Sequence, residues 1–304
     1  APGGRRIRTR RGLGRALGAI RPRAYLNLGH ANWRGEVAQA ARAAGARVLV
    51  LVHDTIPLDH PDLCRPGTAA RFGPGLARIL ALADVVAVVS GAARDALARH
   101  HPEAAARAVV APIGVERPPP EAIRGAAEPP LFVTLGTIEP RKNLALLLDV
   151  WEALLAERGP DPVPRLVVAG PRGWERPEVL ARLDRLAASG AVVPVGAVGE
   201  RARLGLLGAA RALLFPSLAE GFGLPPLEAA ALGVPVLASP VGILPEIPGD
   251  WALYLNPHDR YAWKKTIIER AGDRHENAAV RQERAGRVRL PDWEAHFDRI
   301  FTLL

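Results

Sequence analysis

The feature that most constrains this chain is a repeated alternation of short apolar runs with stretches of helical composition. Val48 to Val52 is unbroken apolar sequence with no polar alternation, as in strands covered on both faces. Comparable runs occupy Ala24–His30, Val85–Ser90 and Ala108–Ile113 in the first half of the chain. In the second half they occupy Leu131–Leu135, Leu166–Ala169, Val192–Val195, Ala212–Phe215, Val234–Ala238 and Ala252–Leu255. Helical stretches lie between them: Trp33–Ala44 stopped by Gly45, Ala69–Ala83, Ala92–His100, Leu144–Glu157, Pro177–Ala188 and Ala202–Ala209. Strands alternating with helices of this length predict an α/β protein built on doubly wound parallel sheets.

The alternation breaks once. Glu116 to Pro130 carries Pro118-Pro119-Pro120 and Pro129-Pro130, a stiff extended connector. The expected organisation is therefore a first domain over 1–117, a Pro-rich linker over 118–130 and a second domain over 131–290. An amphipathic helix over 291–304 closes the chain.

Charge is just as unevenly placed. The net charge is +9, yet residues 1–23 alone hold eight arginines and no acid, which leaves about +1 for everything after them. The folded body is close to neutral, and the basic excess is a local feature suited to an anionic lipid surface or an anionic acceptor. A nucleic-acid partner would need aromatic residues among the basic ones, and none are interleaved here. No apolar run approaches the ~20 residues that span a bilayer, and no signal peptide is visible, so a cytoplasmic protein is expected. A single cysteine, Cys64, excludes a Cys-based metal site. His100, His101, His258, His275 and His296 make no ligand spacing with acids. No metal site is expected.

Candidate chemistry concentrates at Ser217-Leu218-Ala219-Glu220-Gly221-Phe222-Gly223-Leu224-Pro225-Pro226-Leu227-Glu228. An apolar strand leads in, glycines make the turn, Pro225 suits a first helical turn and Gly233 suits the residue past the helix end. Such a turn is an anion site, because unpaired N–H groups point outward and glycine admits a ligand close to the backbone. A carboxylate stands on each side of it, Glu220 before and Glu228 after. Carboxylates accept from hydroxyls while the N–H groups hold phosphate. A ligand with an anionic middle and hydroxyl-rich ends, such as a nucleotide sugar, would satisfy both.

The pair of glutamates separated by seven residues within EGFGLPPLE resembles the signature of retaining GT-B glycosyltransferases of family 4, the glycosyltransferase group 1. The resemblance extends over about Val50 to Ile268. It implies two Rossmann-like domains facing a cleft, a last helix that crosses back to the first domain, and a first domain shortened at its front. Gly3-Gly4 would be the remnant of a glycine-bearing acceptor loop. It further implies a metal-independent hexosyltransferase that uses a nucleotide-sugar donor such as GDP-mannose or UDP-glucose, with no cofactor and a sugar, lipid-linked or other hydroxyl acceptor. By the same resemblance Glu220 holds donor-sugar hydroxyls, Glu228 holds the ribose, Gly221, Phe222 and Gly223 present backbone to the sugar and phosphate, and Leu224 is also on the donor side.

Gly136-Thr137-Ile138-Glu139-Pro140-Arg141-Lys142-Asn143 follows the first strand of the second half, with Asn143 placed to cap the next helix. In the family an Arg and a Lys of this loop neutralise the donor diphosphate. Lys142 matches that lysine. Thr137 stands where an arginine often follows the glycine, and Arg141 either compensates or is a solvated charge. Gly170-Pro171-Arg172-Gly173-Trp174 is also family-like and is expected to shape the domain. Val198, in Gly196-Ala197-Val198, matches by position the backbone that meets the nucleotide base.

In the first half, His53 ends a buried strand in VLVLVHD and matches a family histidine near the donor sugar. Asp54 orients it, positions the acceptor or caps the local turn. His30, at the neighbouring strand end, is a candidate for the acceptor pocket. The catalytic set is then His53, Lys142 and Glu220. The mechanism implied is attack by the acceptor hydroxyl on the face that the diphosphate leaves, with no carboxylate nucleophile. Two other readings stand beside it, a non-catalytic nucleotide-sugar-binding subunit and a nucleotide-sugar epimerase.

Overall fold

In a computed structural model of the protein, residues 10–30, 33, 35–119, 122–123, 125–157, 163–273 and 276–304 are described. Gly3-Gly4 and His275 lie outside them. The chain divides into two compact units, one made of residues 1–114 and 291–304, the other of residues 115–290.

The first unit begins with a helix, α1 (Arg10–Ile20), inside the arginine-rich segment, where the sequence predicts no element. Four parallel strands follow, β1 (Ala24–Asn27), β2 (Arg47–Val52), β3 (Val85–Val88) and β4 (Val109–Val110), side by side in chain order. Between them run α2 (Glu36–Ala43), the short α3 (Ile56–Asp59) with α4 (Thr68–Leu82), and α5 (Gly91–His100) with α6 (Pro102–Ala106). Right-handed crossovers along a sheet ordered this way put the connecting helices on one face. Val48 to Val52 are buried, with Ile79, Val86 and Leu97 packed in the same unit. Ser90 starts α5 by accepting from the Ala93 N–H at 3.0 Å, the local side-chain bond that favours serine at a helix start.

The second unit holds six parallel strands: β5 (Leu131–Leu135), β6 (Arg165–Ala169), β7 (Val192–Gly196), β8 (Ala212–Phe215), β9 (Val236–Ala238) and β10 (Ala252–Tyr254). Their order is β10-β9-β8-β5-β6-β7. The chain winds outward from β5 through β6 to β7, then returns to β8 on the other side of β5. That reversal is the topological switch point where open α/β sheets bind ligands, outside the carboxyl ends of the strands. Helices α7 (Leu144–Ala156), α8 (Pro177–Ala188), α9 (Glu200–Ala209), α10 (Leu224–Ala231), α11 (Arg260–Gly272) and α12 (Ala278–Arg287) surround the sheet. The core joins Phe132, Leu147, Trp151, Leu166, Leu214, Trp263 and Ile267.

The Pro-rich connector lies against this unit. Arg117 donates to the Val288 carbonyl at 2.8 Å, and the Ala127 N–H donates to the Ala209 carbonyl at 2.8 Å. Arg281, fully buried, donates to the Gly208 and Ala210 carbonyls at 2.6 and 2.5 Å. Gly233 ends the turn after α10 at φ 66°, and a Cβ there would come within 1.9 Å of the Arg281 carbonyl oxygen. Only glycine fits such an approach.

The last helix, α13 (Trp293–Thr302), belongs to the first unit. His296 is buried with Nδ1 3.1 Å from the Ala111 carbonyl, and Arg299 donates to the Val110 carbonyl at 2.9 Å. Among the described residues no helix is long and apolar enough to cross a membrane.

Candidate active site

Two loops meet at the switch point of the second unit, one after β5 and one after β8. The first is stapled in place by glycines. The Gly136 N–H donates to the Ala169 carbonyl at 3.0 Å, and a Cβ on Gly170 would lie 1.8 Å from the Gly136 carbonyl oxygen. Further along, the Ile138 N–H donates to the Pro171 carbonyl at 2.9 Å and the Gly173 N–H returns to the Ile138 carbonyl at 3.0 Å. Gly170-Pro171-Arg172-Gly173 is thus a backbone template for the loop. Thr137 packs against Gly173, with its methyl 2.6 Å from where a Cβ would stand.

This fixed loop ends in a single 3₁₀ turn, Pro140–Lys142, which presents Arg141 and Lys142 side by side. Asn143 then begins α7 at φ 54°. Its side chain does not cap that helix, as the sequence led us to expect. Its Nδ2 donates outward instead, to the Pro216 and Pro257 carbonyls at 3.2 and 2.9 Å, and so fastens this loop to the one after β8. A second tie runs from the Leu218 N–H to the Arg141 carbonyl at 2.7 Å.

The second loop carries Glu220 into this frame. Its side chain is only 7% exposed, with Oε1 2.5 Å from Lys142 Nζ and Oε2 2.7 Å from Arg141 Nη1. Arg141 Nε meets Glu139, whose side chain is 2% exposed. Two acids and two bases therefore form one continuous network, and Arg141 is engaged in it rather than solvated. Lys142 Nζ also lies 4.9 Å above the Phe215 ring, a position that favours a cation.

Burial governs the titration of this network. It lowers the Lys142 pKa, an effect that the Glu220 carboxylate offsets only in part. Burial likewise raises the Glu139 carboxyl above its ordinary value, against the opposing pull of Arg141 and Lys142.

Beyond Glu220 the backbone turns through Phe222, buried, and Gly223, at φ 96°, into α10. The Phe222 carbonyl accepts from the Ile243 N–H at 3.2 Å, and Gly242 approaches it so closely that a Cβ would come within 2.8 Å. Leu224 opens α10, 37% exposed. Glu228 is not part of the four-charge network. It pairs through Oε2 with Arg203 Nη1 of α9, both side chains partly exposed. Val198, half-buried, lies between Gly196, at φ 68°, and the start of α9.

In the first unit His30 and His53 touch. The His53 N–H donates to His30 Nε2 at 3.1 Å, so that nitrogen keeps its lone pair. Burial lowers the His30 pKa, with Asp54 opposing. His53 Nε2 lies 2.8 Å from the Leu28 carbonyl; a carbonyl only accepts, so Nε2 carries the proton and Nδ1 is the acceptor. Asp54 Oδ1 accepts from the Ile56 N–H at 3.1 Å, which makes it the cap of the turn into α3. Trp33 and Phe72 close the aromatic group around His30, with ring centroids 4.5 and 5.4 Å away.

Two further residues stand out in this geometry. Glu139 precedes a proline in a turn and carries no pattern of its own in the sequence. Arg203 sits among other charges on a helix, in Glu200-Arg201-Ala202-Arg203, and looks there like part of a solvated face.

Residues 129–273 match the family described as glycosyl transferases group 1. Among curated relatives, the O-antigen chain mannosyltransferase B of Escherichia coli is 39% identical over 142 residues, 46% of this chain and 36% of the relative. The D-inositol 3-phosphate glycosyltransferase of Streptomyces avermitilis is 31% identical over 293 residues, 89% of this chain and 61% of the relative. The chain thus spans between about a third and three fifths of these relatives' lengths. Anabaena HepE, solved in complex with UDP and glucose, superposes with a TM-score of 0.72 at 16% identity, over 96% of this chain and 81% of that one. The match covers the two loops and the glutamate pair, the relatives are glycosyltransferases and the fold is GT-B: residues 129–273 carry the group 1 glycosyltransferase domain.

Proposed function

We propose that the protein transfers a hexosyl group from a nucleoside-diphosphate sugar to a hydroxyl acceptor, with retention of anomeric configuration and without a metal ion. The observation that carries this reading is Glu220 held between Arg141 and Lys142 at the sheet's switch point, beside the N-terminus of α10. Two fixed cations and a helix N-terminus suit a diphosphate, and the carboxylate they hold suits the hydroxyls of the sugar attached to it.

On this reading Lys142 and Arg141 take the diphosphate, and Glu220 turns to the donor sugar. Gly221, Phe222 and Gly223 supply backbone groups, and Glu228 takes the ribose. Gly136, Thr137, Val198 and Leu224 line the donor's path. Charge grows on the diphosphate as its bond to the sugar breaks, and preorganised cations act on that growth. The departing phosphate takes the acceptor proton, so no carboxylate nucleophile is needed. In the first unit His53 offers Nδ1, the nitrogen the Leu28 carbonyl leaves open, to a sugar hydroxyl, with His30 beside it.

The mannosyltransferase relatives favour a GDP-linked mannose as donor, and their O-antigen assignments favour polysaccharide or glycolipid assembly as the setting. The arginine-rich front is suited to anionic lipid at the inner face of a membrane. The test is calorimetric titration of UDP, GDP and their sugar conjugates into the protein and into Glu228→Ala, followed by donor turnover. Binding of one nucleotide that weakens without Glu228 supports the reading. A folded protein that binds none of them refutes it.

A further inference from the structure

We infer that Arg203 is a positioning residue for the nucleotide: it fixes the Glu228 carboxylate so that one oxygen is held and the other is offered to a ribose hydroxyl. The inference rests on the donor reading above and goes beyond it, because it assigns to α9 a part in nucleotide recognition.

Glu228 lies in the second turn of α10, after the loop that carries Glu220. Arg203 lies near the start of α9, after β7. Their ion pair therefore links the elements that follow strands on opposite sides of β5, across the carboxyl end of the sheet. The pair engages Oε2 of Glu228. A glutamate side chain with nothing on it samples several rotamers, and holding it costs entropy at the moment of binding. A guanidinium on one oxygen removes that cost beforehand, and an ionised carboxylate with one cation keeps acceptor capacity for a diol. The planar fork of arginine sets direction as well as charge, which a lysine ammonium does not.

The experiment compares affinities for UDP and GDP with those for their 2′,3′-dideoxy analogues. The proteins are the native chain, Arg203→Leu, Arg203→Lys, Glu228→Gln and, as a control on the same helix, the exposed Arg201→Leu. Circular dichroism and melting confirm that each is folded. Arg203→Leu is expected to weaken the ribonucleotide about tenfold, the effect of losing one charge-assisted hydrogen-bond arrangement, and to leave the dideoxy analogue unchanged. Arg203→Lys recovers part of the loss, and Arg201→Leu changes neither.

If Glu228→Gln abolishes the preference for ribose while Arg203→Leu leaves it intact, the inference is wrong and the donor reading stands. If Glu228→Gln itself leaves the preference intact, the ribose assignment falls and takes the inference with it. Equal loss for both nucleotide forms in Arg203→Leu, or a loss confined to one base whatever the sugar, also overturns it.

Discussion

Replacing Lys142 by methionine should separate binding from turnover. Lys142 already holds an anion, with Nζ 2.5 Å from Glu220 Oε1. An arriving diphosphate therefore offers it an exchange of partners. At about 4 Å and an effective dielectric near 20, either contact is worth roughly 4 kcal/mol, so the two nearly cancel in the ground state. The charge that develops on the leaving diphosphate has no such counterpart. Losing one preorganised contact to it costs about 3 kcal/mol, or roughly a hundredfold and more in kcat. Methionine keeps the side chain's length and its packing over Phe215. Lys142→Met should thus change the dissociation constant for the nucleoside diphosphate by less than about fivefold while lowering donor turnover by about a hundredfold. Calorimetry gives the first quantity, and release of nucleoside diphosphate from saturating sugar donor gives the second. A hundredfold loss of affinity with kcat intact, or no change in either, would refute the argument.

Other expectations follow from single contacts. Gly170→Ala should not reach a stable fold, since its Cβ would overlap the Gly136 carbonyl oxygen and the template for the cation loop would have to move; soluble yield and melting temperature report this. Asn143→Gly should be milder than Asn143→Ala, by about 1 kcal/mol in denaturant unfolding, because Asn143 sits at φ 54° where alanine carries a steric cost that glycine does not. Tyr254 donates to the Leu244 carbonyl at 2.5 Å, and burial pushes its pKa up to about 12. Its unfolded form ionises near 10, so its contribution to stability is complete below that pH and is lost as the pH rises towards 12. Ultraviolet titration of the native protein against Tyr254→Phe checks the midpoint.

Much of this fold is legible in the sequence because buried parallel strands leave a strong mark. Val48 to Val52 and Ala212 to Phe215 are apolar on both faces, and α2, α8 and α10 end just before Gly45, Gly190 and Gly233. The short strands β4, β9 and β10 are less distinct, and their ends shift by a residue or more. The segment before β1 gives no strong cue, because Arg10 to Ile20 mixes arginine and glycine with few large apolar residues. At the site, the positions of Glu220 and Lys142 follow from the strand–turn–helix pattern. Their direct contact does not, because it depends on the switch between β5 and β8, which brings together loops 78 residues apart in the chain. Glu139 and Arg203 are illegible for a related reason. Each owes its significance to one partner contributed by another loop or helix, and neither has a spacing that announces it.

The same four-charge network makes a prediction about protons. Glu139, Arg141, Lys142 and Glu220 sum to zero, so the network by itself is electrically closed. A nucleotide sugar adds negative charge at each phosphate, while the N-terminus of α10 offers only about half a positive charge. On the metal-free reading the balance must come from elsewhere, and the nearest source is a proton on Glu139. Burial already raises that carboxyl, although Arg141 and Lys142 oppose it. One more negative charge nearby pushes it further in the same direction. Donor binding should therefore take up part of a proton, and affinity should fall as the pH rises above the ordinary carboxylate range. The diphosphate of a nucleotide sugar is esterified at both ends and has no proton of its own to exchange there, so any uptake belongs to the protein. Binding enthalpy measured in buffers of different ionisation enthalpy should differ for the native chain and coincide for Glu139→Gln. Coincident enthalpies in the native protein would mean that the network absorbs the donor's charge without protonating, and that the burial of Glu139 serves only to hold Arg141.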